Sequence, residues 1–393
     1  MRIERVNGGA LLLHGGGPTQ VMNASLAGVV EECRQSPVVK ALYGARHGIE
    51  GALAEDFYDL AGQPAGRIDA VARTPGSALG SSRWPASAAD YERLLEILDR
   101  RGIRFLFFTG GNGSMYMAHQ IALAGAGRGL RVIGIPKTID NDIGGTDHTP
   151  GYGSTAWFFA CAARDIGEDI RALRGRVTML EVMGRNAGWL TAATVFARSR
   201  PDDPPHLIYL PERPLSRARF LSDVEAMFRK HGVVVAAVCE GQTDESGRPM
   251  GDLGTPDGFD RRLSGNLAHT LARLVIDELG LNARSEKPGL LGRSSMAFIS
   301  ETDRREAYLC GRAAVRAAVE GHTGMMISLE RAAGPEYGVT AGLVPLEQVG
   351  FVERLFPLEW ITPDGAGIEP AFLDYAGPLL GPMQYHARLA GPG

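Results

Sequence analysis

Cysteine is scarce in this chain. Four occur in 393 residues, at Cys33, Cys161, Cys239 and Cys310. They are scattered among apolar neighbours, so a disulfide framework is excluded and reduced core residues of a cytoplasmic protein are expected. Ligand-like spacing is missing as well. His14, His119, His148, His269 and His322 read as packing or surface histidines, not as a metal cluster. Charge of one sign is also lacking. A formal net charge of -4 excludes the basic field expected of a nucleic-acid binder. The opening MRIERVNGGALLLHGGG has only a short apolar run before its glycines, unlike a signal peptide or membrane anchor. Neither a GK[ST] phosphate loop nor a GxGxxG turn is present.

What is plentiful is glycine, with 52 residues, many clustered at the ends of apolar runs where phosphate-cradling loops occur. With 44% apolar and 22% charged residues, the composition is that of a globular chain long enough for two domains. Short apolar runs alternate with helical periodicity. Strands are predicted at Ala10–Leu13, Arg104–Phe108, Arg131–Ile135, Val177–Val182, Leu207–Leu210, Val233–Val238, Met296–Ser300 and Gly324–Ser328. Helices are predicted over Tyr91–Arg101, Met115–Leu123, Ser154–Ile166, Leu190–Ala197, Leu221–Lys230, Leu263–Leu279 and residues 303–320. This rhythm argues for an α/β fold with mainly parallel sheets, whose ligands bind outside the carboxyl ends of the strands. The polar stretch 241–262 reads as a surface excursion, and the Pro- and Gly-rich last fifty residues as a peripheral extension.

Four constellations stand at strand ends. Gly15-Gly16-Gly17-Pro18-Thr19-Gln20 and Thr109-Gly110-Gly111-Asn112-Gly113-Ser114 each join a strand to a helix, a geometry suited to phosphate oxygens. Lys137-Thr138-Ile139-Asp140-Asn141-Asp142 puts two carboxylates, an amide, a hydroxyl and an ammonium within six residues. One carboxylate can take a proton from an attacking hydroxyl and the other can hold a divalent cation. Met183-Gly184-Arg185 supplies a guanidinium fork, and Arg83, Arg176, Arg284 and Arg293 lie in comparable Gly-, Ser- or Pro-rich settings.

These segments resemble the 6-phosphofructokinase family from Ala10 to about Leu329, most specifically through TIDND followed downstream by MGR. The resemblance implies two Rossmann-like αβα domains with the active site between them. Residues 1–150 plus about 290–345 would bind the phosphoryl donor, 151–289 would bind the sugar phosphate, and 346–393 would be a C-terminal extension. It implies phosphorylation of the 1-hydroxyl of fructose 6-phosphate in glycolysis. Asp140 matches the catalytic base. Asp142 and Asn112 match the positions that hold Mg2+. Gly16, Gly17, Arg83, Gly111, Gly113 and Ser114 match the donor site, with Lys137 beside the transferred group. Thr138, Met183, Gly184, Arg185, Glu240 and Arg293 match the sugar-phosphate site. Arg176 and Arg284 match arginines that reach a neighbouring subunit, which implies a homodimer or homotetramer. Effector sites in the family lie at subunit interfaces, so allosteric control is open.

The donor is left between two readings. Lys137 and stretches such as PGSALGSSR and EKPGLLGRSS look like the pyrophosphate-using branch. Gly113 stands where pyrophosphate users carry aspartate and leaves room for ATP. Asn112 replaces a charged metal ligand, and Leu290 replaces a histidine of the sugar-phosphate site. Sedoheptulose 7-phosphate is a further acceptor, and a non-catalytic regulatory homologue is the rival of another class.

Overall fold

Runs such as Ala10-Leu11-Leu12-Leu13 and Phe105-Leu106-Phe107-Phe108 put large apolar groups on both faces of a strand, which suits a sheet covered on both sides. The structure, a computed structural model, describes residues 6–173, 175–256, 262–334, 336–350 and 352–389. In chain order the strands are β1 (Gly8–His14), β2 (Val39–Ala45), β3 (Phe57–Asp59), β4 (Ile103–Gly110), β5 (Arg131–Pro136), β6 (Arg176–Val182), β7 (Leu207–Tyr209), β8 (Val234–Cys239), β9 (Asp252–Pro256), β10 (Arg262–Gly265), β11 (Asn282–Glu286), β12 (Met325–Arg331) and β13 (Val339–Pro345). The chain divides into two units, Met1–Ser154 with Arg293–Arg354, and Thr155–Gly292 with Leu355–Gly393.

The first unit holds a seven-stranded sheet in the order β13-β12-β5-β4-β1-β2-β3. It is parallel except for its two edge strands, β3 and β13. Ala10, Leu12, Phe105, Phe107, Ile133 and Ile135 face helices Met22–Gln35 and Glu301–Val319. The alternate residues Leu11, Leu13, Leu106, Phe108 and Val132 face helices Ala88–Arg100 and Asn112–Ala124. The first pair of helices meets backbone to backbone. A Cβ on Gly28 would stand 2.2 Å from the Tyr308 carbonyl oxygen, and one on Gly311 2.1 Å from that of Ser25. After β1 the chain winds outward through β2 and β3, then returns to the other side of β1 with β4. The carboxyl ends of β1 and β4 therefore form a topological switch point, the crevice where such sheets bind ligands.

The second unit has a parallel four-stranded sheet, β11-β6-β8-β7. Val177, Met179, Val234, Ala236 and Val238 pack on helices Arg217–His231 and Leu267–Leu279. Val235, pointing the opposite way, meets Ile166 and Ile170 of helix Tyr152–Ala172.

Several expectations are corrected. The described residues of 346–393 do not form a separate extension. Leu346 and Val349 are buried in the core of the first unit. Phe356, Trp360, Phe372 and Tyr375 build an aromatic cluster around Trp189 in the second, with Trp189 and Phe356 centroids 5.0 Å apart. Met296–Ser300 forms no strand. It leads into Ser300, whose side chain caps the following helix by accepting from the Asp303 N–H, so the cap chemistry outweighs the apolar pattern. The helix expected from Leu263 begins at Leu267, because Asn266 sits in the left-handed region at φ 58 and Arg262–Gly265 pairs with Asp252–Pro256. Of the excursion over 241–262, residues 257–261 lie outside the described residues.

Phe372 is fully buried and contacts four aromatic rings, so Phe372→Ala is expected to lower stability by about 3–5 kcal/mol. Urea unfolding checks this. A loss under about 1 kcal/mol would mean that the terminal segment is dispensable to the core.

Candidate active site

The first site grows from the switch point. β1 ends at His14 and passes into Gly15-Gly16-Gly17. Gly16 has φ +76, a conformation only glycine adopts without strain. The Gly15 N–H donates to Thr109 O at 2.8 Å and the Gly16 N–H to Ser82 O at 3.0 Å. Two N–H groups expected to be free for phosphate are thus engaged in holding the loop. The Gly16 carbonyl accepts from Ser81 Oγ at 2.6 Å. Because the peptide is planar and trans, the N–H of Gly17 points to the opposite side. Ser114 Oγ is wedged inward between the two loops. A Cβ on Gly15 would come within 2.2 Å of it and one on Gly110 within 2.1 Å. Ser114 is therefore buried and packs between the two loops.

Lys137 follows β5 and is almost completely buried. Its Nζ donates to Gly15 O at 2.9 Å and Gly17 O at 2.7 Å. Burial, then the charge of Arg293, pushes its pKa down to about 7, against the opposing pull of Asp140. Arg83 adds to the same field. The Arg293 guanidinium lies against the α-carbon of Gly17, since a Cβ there would stand 2.3 Å from its Nη1. Arg293 was expected at the sugar phosphate, yet it lies at the glycine loop. One ammonium and two guanidinium groups thus share the crevice with the loop.

The carboxylates come from the segment after Lys137. The Asp140 N–H donates to Thr138 Oγ1 at 3.1 Å, which tightens the turn. Asn141 takes φ 57, and its Oδ1 accepts from the Thr149 N–H at 3.0 Å. Thr149 Oγ1 returns a bond to Thr138 O at 3.1 Å. Arg354 closes the brace, with Nη2 on Asn141 O at 3.1 Å and its own N–H on Asp142 O at 2.8 Å. Asp140 and Asp142 are half-buried on a loop held from three directions. Sequence reasoning missed Arg354, which lies more than two hundred residues away in a segment without periodicity.

Asn112 opens helix Asn112–Ala124, and its Nδ2 donates to Asp142 Oδ2 at 3.0 Å. Its Oδ1 is buried with no hydrogen-bond partner. An unsatisfied amide oxygen beside a carboxylate fits a hard divalent cation. Among the described residues no group of three or more His, Cys, Asp or Glu gathers as a metal site. Phosphate oxygens would have to complete the ligand set.

In the second unit, Met183-Gly184-Arg185 follows β6. Gly184 has φ +140 and a Cβ there would lie 2.6 Å from Ala187 O, so glycine is required. Arg185 takes φ 52. Glu240, at the end of β8, accepts the Gly184 N–H at 3.3 Å. Met183, Gly184, Arg185 and Glu240 therefore meet at one end of this sheet. Arg176 opens β6 at its other end. Arg284 lies on the neighbouring edge strand, opposite Thr178. Six residue steps along β6 put Arg176 roughly 20 Å from the carboxyl end of the strand, and Arg284, level with Thr178, is four steps or roughly 13 Å from it, so both stand away from the Met183–Arg185 turn.

Glycine-rich loops at the switch point of a doubly wound sheet stand where such folds bind phosphate-bearing ligands. The phosphofructokinase pattern matches residues 10–318, and the chain belongs to the phosphofructokinase family. It is 38% identical over 385 residues to the pyrophosphate--fructose 6-phosphate 1-phosphotransferase of Xanthomonas campestris pv. campestris, covering 95% of this chain and 92% of that one. It is 38% identical to the enzyme of the same name from Rhodospirillum rubrum over 395 residues, covering 97% of both. The crystal structure of pyrophosphate-dependent phosphofructokinase from Nitrosospira multiformis matches with a TM-score of 0.87 at 33% identity, covering 98% of this chain and 95% of that one. No helix among the described residues is long and apolar enough to cross a membrane.

Proposed function

We propose that the protein transfers a phosphoryl group from pyrophosphate to the 1-hydroxyl of fructose 6-phosphate, releasing phosphate and fructose 1,6-bisphosphate. The observation that carries this reading is the convergence of Lys137 and Arg293 on Gly15–Gly17, with the braced Asp140–Asp142 loop following Lys137 directly in the chain. Asp140 accepts the proton of the attacking hydroxyl. Lys137, Arg83, Arg293 and the Gly17 N–H offset charge on the transferring group. Asp142 and Asn112 Oδ1 would hold Mg2+, which when bound neutralises the phosphate oxygens. Met183, Gly184, Arg185 and Glu240 bind the sugar phosphate, with Thr138 on the acceptor side. Gly16, Gly111 and Gly113 line the donor's place.

Gly113 favours a second reading, ATP as donor, because it brings no side chain to the position where aspartate would exclude the larger donor. Initial rates with fructose 6-phosphate and Mg2+ separate the two. The expected result is turnover with pyrophosphate and little with ATP. Turnover with ATP alone would reverse the assignment, and silence with both would favour another acceptor or a binding protein. Gly113→Asp is expected to suppress whatever ATP rate remains by about tenfold or more while sparing pyrophosphate. An unchanged ATP rate would remove Gly113 from the donor site.

The remoteness of Arg176 and Arg284 from the Met183–Arg185 turn supports a homo-oligomer in which they serve a neighbour's sugar phosphate. If so, Arg284→Ala and Asp140→Asn chains, each inactive alone, recover activity when unfolded and refolded together. Random pairing in a dimer restores roughly a quarter of the sites. No recovery would mean that Arg284 acts within its own chain.

A further inference from the structure

His14 reads from the sequence as a packing residue, and its surroundings do not suit that role. The ring is completely buried, and its Nε2 has no hydrogen-bond partner. A leucine would fill the space without stranding a polar atom, so packing alone does not account for a histidine here. The other nitrogen is engaged. Nδ1 lies 2.7 Å from Ser77 Oγ, and Ser77 Oγ lies 2.5 Å from Gly80 O. A carbonyl only accepts, so the single serine proton is committed to Gly80 and Ser77 Oγ must accept from His14. The proton of the neutral ring is therefore on Nδ1. Burial and the nearby Lys137 charge keep the ring neutral, with a pKa near 3.

Ser77 and Gly80 belong to the segment that ends in Arg83. That segment touches the glycine loop through backbone at Ser82 O and through Ser81 Oγ. Asn23 ties its far side, donating to Thr74 O at 2.8 Å and accepting from the Ala78 N–H at 2.8 Å. His14, the residue directly before Gly15, adds a side-chain tie at the bend between them. We propose that His14 is a positioning residue for phosphoryl transfer. Through Nδ1–H to Ser77 it fixes the bend of segment 75–83 and so the approach of Arg83 to the donor. The inference rests on the phosphotransferase reading and adds a residue to it.

A mutant cycle tests it, using the intact enzyme with pyrophosphate and fructose 6-phosphate as probes. His14→Leu is expected to raise the pyrophosphate KM by about tenfold, with the fructose 6-phosphate KM within about twofold. His14→Asn, whose amide N–H can stand near the place of Nδ1–H, is expected to recover most of the loss. Ser77→Ala, a smaller change, should reproduce the donor-selective defect even if His14→Leu fails to fold. In an Arg83→Ala background, His14→Leu should have almost no further effect, because the residue it positions is gone. Independent losses that multiply, or equal rises in both KM values, would overturn the proposal. So would an Arg83→Ala enzyme with normal pyrophosphate kinetics. That last outcome would leave the phosphotransferase reading standing, since turnover of the unaltered enzyme tests it separately.

Discussion

Asp140→Asn is expected to reduce turnover by about 10³–10⁴-fold while leaving fructose 6-phosphate binding within about twofold. The carboxylate sits on a loop braced by hydrogen bonds of the backbone and of neighbouring side chains. The turn is set by the Asp140 backbone N–H on Thr138, by Asn141 on Thr149 and by Arg354 on Asn141 and Asp142. Asparagine keeps size and polarity but cannot accept the hydroxyl proton. The fall should therefore appear in kcat, with circular dichroism and melting temperature nearly unchanged. Single-turnover rates and calorimetric binding of fructose 6-phosphate check the split. Normal turnover would sink the assignment of the base. Equal loss of binding and turnover would move Asp140 into the sugar site.

Much of this site was legible because its chemistry is local in sequence. Asp140, Asp142 and Lys137 fall within six residues, and both glycine loops announce themselves at the ends of runs with two apolar faces. Those same runs revealed the central strands. β11, with the sequence NARSE, was missed because this edge strand carries little apolar signal, and β13, whose Val339, Ala341 and Leu343 alternate toward the core, was missed because it lies in a stretch punctuated by Gly and Pro. Arg354 and the aromatic cluster of Phe356, Trp360 and Phe372 were missed for another reason. Their partners are far away in sequence, so no local period marks them. Arg293 was recognised, but only coordinates could bring it to Gly17. Ser114 and His14 show the converse, since side chains near a loop in sequence can face inward from it.

Lys137→Met is expected to lower kcat/KM for pyrophosphate by about 10²–10³-fold, the scale for removing one group that stabilises developing charge. The replacement removes the charge together with the Nζ bonds to Gly15 O and Gly17 O, and leaves Arg83 and Arg293 unaltered. The second readout is protonic. In the free enzyme Lys137 has a pKa of about 7, depressed first by burial and then by Arg293, so at pH 8 most molecules hold it neutral. A polyanion arriving at the glycine loop favours the charged form, so binding must draw a proton from the buffer. Calorimetry of pyrophosphate binding at pH 8, in buffers of different ionisation enthalpy, should show uptake approaching one proton in the unaltered enzyme. Lys137→Met should take up markedly less. Stability follows the same linkage. The unfolded chain holds the lysine proton up to about 10.5 and the folded chain only to about 7, so folding is disfavoured by this group in full below about pH 7 and is relieved as pH rises between those values. The variant lacks that slope. Lys137→Met should therefore flatten the rise of unfolding free energy between about pH 7 and 9, and equal slopes in the two proteins would mean that Lys137 stays charged in the folded state.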